Sequence, residues 1–424
     1  MSFPSYPRYK YSGVKWLGEV PEHWQIVRIR HLCECLDGKR IPLNAAERAE
    51  RLGDVPYWGA NAIVGYVDEP LFDEDLVLLG EDGAPFFDPT KPVAFFIQGK
   101  VWANNHVHVL RPNVAGAGKF IANALNATDY SQFVDGSTRD KLTQSAMNDI
   151  PLPWPTTNEQ NAIVAFLARE TAKIDALISE QRRLIELLKE KRQAVISQSV
   201  TQGLDPHVQM KPSGVEWLGD VPAHWEVTRL ANVFREVVES GAEELPVLSV
   251  SIHQGVSDKE LEEDEMERKV TRSEDRSKYK RVAPSDLVYN MMRAWQGGFG
   301  TVTVEGMVSP AYVVARPRML IPTSFIEHLL RIPQAVEQMR RHSRGVTDFR
   351  LRLYWDEFRN IRIVLPPRSE ASAICEAIAS LNERFSALSA VAEESIALLQ
   401  ERRKALIFAA VTGKIDIRGL AEMA

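Results

Sequence analysis

The segment SGVKWLGEVPEHW at 12–24 returns as SGVEWLGDVPAHW at 213–225, with ten of thirteen positions identical. A second echo follows each copy: residues 159–203, from EQNAIVAFLARE to VTQG, align with residues 370–414, from EASAICEAIASL to VTGK, at a register of 211 residues. Repetition at fixed spacing constrains a fold more than any local motif, because like sequences must find like surroundings. The stretches between the echoes, roughly 30–150 and 230–360, show no similarity to one another. The framework therefore repeats while the middles differ. Such a chain presents two different surfaces in related settings.

With 424 residues, 45% hydrophobic and 25% charged, the chain is long enough for two to four soluble domains. No run of about 18 apolar residues occurs, and MSFPSYPRYKYSG lacks the basic-then-apolar layout of a secretory leader. The expectation is a cytoplasmic protein without a membrane span. Cys33, Cys35 and Cys375 cannot build a disulfide framework, and no further Cys or His stands at zinc spacing, so buried free thiols are expected. The net charge of −6 argues against a nucleic-acid partner until its distribution is considered. Residues 258–267 are strongly acidic, whereas 268–281 carry seven Lys/Arg against two acids and 340–362 carry seven Arg against three. Basic patches exist inside an acidic chain, although a solvated surface explains each patch taken alone.

Between 159 and 201, apolar residues recur at three- and four-residue steps through Ile163, Leu167, Ile174, Leu177, Leu184, Leu188 and Val195. The spacing predicts a helix of about 40 residues, roughly 60 Å, beginning after Pro155 and ending before Gly203. Its counterpart places Ile374, Ile378, Leu381, Phe385, Leu388, Leu399 and Leu406 on one stripe ending at Gly413. Each stripe needs a mate, and the other copy is the obvious one. Leu167, Ile174, Leu177, Leu184 and Leu188 are accordingly expected to pair with Ile378, Leu381, Phe385, Leu388, Leu399 and Leu406. The connection between the helices permits an antiparallel arrangement.

Each middle reads as short strands and loops, and each closes alike. GSTRDKLTQSAMNDIPLPWP (136–155) and SRGVTDFRLRLYWDEFRNIRIVLPP (343–367) both run a basic polar loop into a short helix and then a strand ending in prolines. The predicted fold is α+β: two globular α/β domains at 1–155 and 206–367, with long antiparallel helices forming a coiled coil at 156–205 and 368–424, in an internal pseudo-twofold repeat.

Taken together, GVKWLGEVPEHW and its repeat, YWGANAIVGYVDEPLFDEDLVLLGEDGA, ANNHVHVLRP, GSTRDKLTQSAMNDIPLP, NMMRAWQGGFG and the helix opening NEQNAIVAFL resemble the specificity subunit of type I restriction-modification systems over essentially the whole chain. The resemblance implies two target-recognition domains, each reading one half of a bipartite site in double-stranded DNA. It implies helices that set the spacer and dock two methyltransferase subunits, with two restriction subunits joining where present. No cofactor is expected in this chain: S-adenosylmethionine belongs to the methyltransferase subunits, and ATP with Mg to the restriction subunits. One departure is visible, since the second helix opens PPRSEASAI where the family carries a P-L-x-E-Q run, kept in part as Asn158-Glu159-Gln160.

Catalytic motifs are missing in the expected way. GAGKF at 116–120 places Phe120 where a phosphate-binding loop needs a hydroxyl, and neither an intact G-x-G-x-x-G nor an N-P-P-[FY] tetrapeptide occurs. His108, in a strand-like segment, fits a packed or hydrogen-bonded core residue better than a metal ligand. A non-catalytic recognition subunit is thus expected. A stand-alone nuclease or methyltransferase and a coiled-coil adaptor binding only proteins are the competing readings.

Reading DNA needs Arg or Lys for guanine edges, Asn or Gln for adenine edges, and basic or hydroxyl groups for phosphates. By the family's fold, polar loops of the two domains supply them. In the first domain the candidates are Arg139, Lys141, Thr143 and Gln144 in the closing loop, with Asn61 and Asn105 behind them. In the second they are Arg293, Trp295 and Gln296, together with Arg344, Arg350 and Arg352. Asn61 also fits a plain turn residue, and Trp295 a packing residue. Trp16, Trp24, Trp217 and Trp225 recur in both copies and belong to the framework.

Overall fold

A computed structural model describes residues 3–88, 90–135, 140–242, 244–252, 255–261, 278–345 and 351–420. Two compact units emerge, Met1–Arg183 with Ala392–Ala424, and Leu184–Val391. Two long helices, α1 (Thr157–Gln202) and α2 (Arg368–Val411), each run through the boundary between the units.

The repeated tryptophan motif builds the same hairpin in each unit. Tyr9–Tyr11 pairs antiparallel with Glu19–Pro21, and Met210–Pro212 with Asp220–Pro222. Gly18 and Gly219 both adopt φ 62°, a left-handed turn that glycine takes without steric cost. Trp24 and Trp225 are fully buried. Beside them, His23 Nε2 lies 2.9 Å from Glu159 Oε1 at the start of α1, and His224 Nε2 lies 2.7 Å from Glu370 Oε2 at the start of α2. The departure from the family's helix opening thus spares this glutamate. It removes Gln160, whose side chain holds the Pro155 carbonyl at 3.0 Å, in favour of the smaller Ala371.

The dissimilar middles adopt one sheet topology. In unit 1, β1 (Cys33–Cys35), β2 (Leu76–Gly80), β3 (Ala94–Ile97) and β4 (Val107–Pro112) lie in the order β1-β4-β2-β3. In unit 2, β5 (Phe234–Val237), β6 (Leu287–Asn290), β7 (Phe299–Thr301) and β8 (Tyr312–Pro317) lie in the order β5-β8-β6-β7. An arginine one residue before the end of the last strand is forked by two acids in each case. Arg111 donates to Glu34 (2.8 Å) and Glu74 (2.6 Å), and Arg316 to Glu239 (2.8 Å) and Asp286 (2.9 Å). The closing strands Pro151–Trp154 and Arg362–Leu365 pair with the strands that follow the tryptophan motifs, Gln25–Arg28 and Glu226–Arg229.

Within each unit the long helices pack antiparallel. In unit 1, Ile163 and Leu167 share a core with Ala410 and Val411, while Arg403 Nε bonds Asp175 Oδ1 at 3.0 Å. In unit 2, Ile196 and Val200 share a core with Ile374 and Ile378, and Arg192 Nε bonds Asn382 Oδ1 at 2.7 Å. Leu167, Ile174 and Ile378 are buried as the pairing stripe requires, and Leu188, Leu381, Phe385, Leu399 and Leu406 are half-buried. Leu177, Leu184 and Leu388 depart from the expected seam, being 51%, 43% and 53% exposed. The buried line on α1 instead passes through Ile178 and Ile185. At about 100° per residue, Ile174, Ile178 and Ile185 all stay within about 20° of Leu167, whereas Leu177 and Leu184 lie about 80–100° round the helix.

Candidate nucleic-acid interface

The closing loops of the two units are fastened by the same main-chain hydrogen bond. The Leu142 N–H donates to the Glu81 carbonyl at 2.7 Å, and the Leu353 N–H donates to the Met291 carbonyl at 2.9 Å. Glu81 and Met291 each stand just beyond the end of the corresponding strand, β2 and β6. Both leucines are fully buried, and each is preceded by an exposed cation, Lys141 or Arg352. Each is followed by the N-cap of a short helix: Thr143 for Gln144–Asp149 and Tyr354 for Trp355–Phe358. An apolar anchor between a cation and a helix start fixes the direction in which that cation leaves the sheet.

In unit 2 the bond to Met291 joins the 291–296 turn to the antiparallel bridge in which Arg344 and Arg352 exchange main-chain hydrogen bonds of 2.9 and 3.0 Å. Met292, Arg344, Arg352 and Tyr354 line a cleft of about 800 Å³ together with Asp356 and Glu357. The Arg344 guanidinium rests on Glu357. In the turn, Arg293 donates to Gln296 Oε1 at 3.3 Å, and the Trp295 indole N–H is taken by the Met292 carbonyl at 3.0 Å. The structure therefore gathers the turn and the Arg344–Arg352 bridge at one end of the sheet. Arg350, like Arg139 in the first loop, lies outside the described residues.

In unit 1, Asn61 occupies the exposed tip of the Val55–Trp58/Ile63–Val67 hairpin, closed by a 2.9 Å bond from the Gly59 N–H to the Ala62 carbonyl. That tip abuts the end of β2, since a Cβ added at Gly80 would stand 2.9 Å from the Ala60 carbonyl. Asn104 N–H donates to the Trp58 carbonyl at 3.0 Å, bringing exposed Asn105 to the same edge. Thr143 Oγ1 accepts from the Ala146 N–H at 3.2 Å, and Gln144 Nε2 donates to Cys35 Sγ at 3.3 Å. Asn61, Asn105 and the Lys141–Gln144 loop thus share one end of the unit 1 sheet.

Beneath them lies a polar network centred on His108, the hydrogen-bonded core residue the sequence led one to expect, with partners no local pattern links to it. His108 is fully buried, with Nδ1 2.5 Å from Asp37 Oδ2 and Nε2 2.9 Å from the Leu142 carbonyl, so both ring nitrogens have hydrogen-bond partners. Asp37 Oδ1 accepts the Val109 N–H at 2.8 Å. Arg40 donates to Glu81 Oε2 at 2.6 Å and to the carbonyls of Val107 and Asn105 at 2.8 and 3.4 Å. Burial would raise the Asp37 pKa, but the hydrogen bond and charge of His108, the Val109 N–H and Arg40 outweigh it and hold the carboxyl below its ordinary value. Asp37, Glu81 and His108 stand close enough to form a three-ligand cluster. The donor set nevertheless does not fit a metal, because both His108 nitrogens are engaged and the Arg40 guanidinium already supplies the positive charge between the carboxylates. Cys33 is a buried free thiol, pushed up to about 12 mainly by burial. Among the described residues no helix is long and apolar enough to cross a membrane.

Comparison with known proteins gives these features a context. Residues 21–187 match a family model described as the type I restriction modification DNA specificity domain. A Haemophilus influenzae protein named as a type I restriction enzyme specificity subunit is 34% identical over 140 residues, 32% of this chain and 34% of that protein. The MjaVIII specificity subunit of Methanocaldococcus jannaschii is 23% identical over 226 residues, half of each chain. The chain thus spans between a third and a half of the curated relatives it matches. A chain from a solved structure on complex assembly and conformational transition of the type I R-M system superposes with a TM-score of 0.61 at 14% identity, over 92% of this chain and 98% of that one. At that identity the likeness establishes the fold.

Proposed function

We propose that this chain, whose residues 21–187 match the type I restriction modification DNA specificity domain, is a non-catalytic DNA-recognition subunit in which each unit reads one half of a bipartite site. The observation that carries the proposal is the recurring bond from Leu142 and Leu353 to the ends of equivalent strands, which sets Lys141 and Arg352 at matching places on sheets of unrelated sequence. Two matching frames with different side chains suit two different texts. The base- and phosphate-contacting groups are Lys141, Thr143, Gln144, Asn61 and Asn105 in unit 1, and Arg293, Trp295, Gln296, Arg344 and Arg352 in unit 2. Arg139 and Arg350 join them by sequence alone. Two methyltransferase subunits dock on the long helices and supply S-adenosylmethionine; restriction subunits, where present, supply ATP and Mg. The helices set the number of unread base pairs.

Single-molecule methylome sequencing of the host with and without this gene tests the proposal. Loss of one bipartite N6-methyladenine motif is the expected result. An unchanged methylome in a strain whose complex carries an active methyltransferase would refute it and favour a protein-only adaptor.

A further inference from the structure

The side chains of Asp37, Arg40, Glu81 and His108 are assigned no direct reading role, yet His108 and Arg40 bond the backbone beside or within reading residues, Glu81 pairs with the Lys141 ammonium, and Asp37 braces His108. Leu142 is held at both of its peptide groups: its N–H by the Glu81 carbonyl at 2.7 Å, its carbonyl by His108 Nε2 at 2.9 Å. Its neighbours in the chain are Lys141 and Thr143. Arg40 holds the carbonyl of Asn105, and the Glu81 carboxylate lies 3.4 Å from Lys141 Nζ. Partly satisfied networks at low dielectric are costly, and fully bonded ones are rigid, so this arrangement holds the loop in one conformation.

Unit 2 does not repeat the device. His108 stands opposite Leu79 in the strand pairing, two residues before Glu81; at the matching positions Val313 replaces His108 and Met291 replaces Glu81, and neither has a polar side chain to offer. Leu353 keeps the main-chain bond, but its carbonyl faces no counterpart of His108 on that strand.

We infer that His108, braced by Asp37, Arg40 and Glu81, is a positioning residue for the first reading loop, fixing the directions in which Lys141 and Thr143 are presented to DNA. The inference rests on the DNA-reading proposal above. It is tested with the complex recovered from its host through a tag on this chain, carrying His108→Leu or, as the milder change that leaves the ring in place, Asp37→Asn. Binding is measured against duplexes with single base changes in either half of the methylated site. The expected result is a loss of discrimination of about tenfold or more, the value of one good base contact. The loss falls at one half-site only, the same half affected by Lys141→Ala, with discrimination at the other half unchanged. Unchanged discrimination at both halves in the variants overturns the inference. Equal losses at both halves, or failure of both variants to assemble, make His108 a plain core residue and overturn it too. If the unaltered complex already fails to distinguish its site from the changed duplexes, the DNA-reading proposal itself falls.

Discussion

A carboxylate with only 7% of its side chain exposed is tolerable in a protein when its charge is met, and Asp37 is met by an imidazole, a main-chain N–H and a guanidinium. Because its folded pKa is held below the ordinary 3.8, the ionised form contributes stability that is present above that value and lost as pH falls through the lower folded value. Thermal melts between pH 7 and pH 3 should therefore fall steeply below about pH 4, and Asp37→Asn should flatten that fall. At pH 7 the variant should be less stable by about 1–3 kcal/mol, the usual cost of an unmatched buried polar group. Parallel pH profiles for the two proteins would contradict this account. His108, in a strand-like apolar run, reads from sequence as a packed or hydrogen-bonded core residue, and it is one. Its partner Asp37 is 71 residues away, and no local pattern connects them. Asn61 shows the opposite case, since an asparagine between Gly59 and Gly65 reads as a turn and does stand at a hairpin tip.

The long helices were the most legible elements, because neither Gly nor Pro interrupts residues 157–202 or 368–411. Their starts are less alike than their sequences. Thr156 and Glu159 form a reciprocal cap on α1, with Thr156 N–H to Glu159 Oε2 at 3.3 Å and Glu159 N–H to Thr156 Oγ1 at 3.4 Å. The matching residue before α2 is Pro367, which has neither a hydroxyl nor an N–H to take part. The face that each helix buries was harder to read. Leucines at three- and four-residue steps mark two overlapping stripes, and the β-branched Ile178 and Ile185 won the interior over Leu177 and Leu184. Ile178→Ala should cost about 2–4 kcal/mol in urea unfolding, whereas Leu177→Ala should stay within about 0.5 kcal/mol. Equal costs would restore the expected seam.

For the whole molecule, the repeat alone implies two related frames, because near-identical tryptophan motifs and alignable helix sequences demand like packing. The shared strand order of the middles was not legible, since buried apolar strands of one topology accept many sequences. If helix length counts the unread base pairs, deleting residues 178–184 together with seven residues opposite them in α2 preserves the heptad phase and shortens the rise by about 10 Å. The methylated motif should then lose roughly three base pairs of spacer at 3.4 Å each. A motif with its original spacer would refute this. The bonds from Leu142 to Glu81 and from Leu353 to Met291 carry one more consequence. Both join main-chain atoms, so they are indifferent to the side chains on either hand. Mutation can therefore rewrite the residues flanking each leucine with little penalty to folding, and a combinatorial library confined to those positions should yield mostly folded proteins with altered preferences. The same bond that fixes the loop in space leaves its content open to evolutionary change.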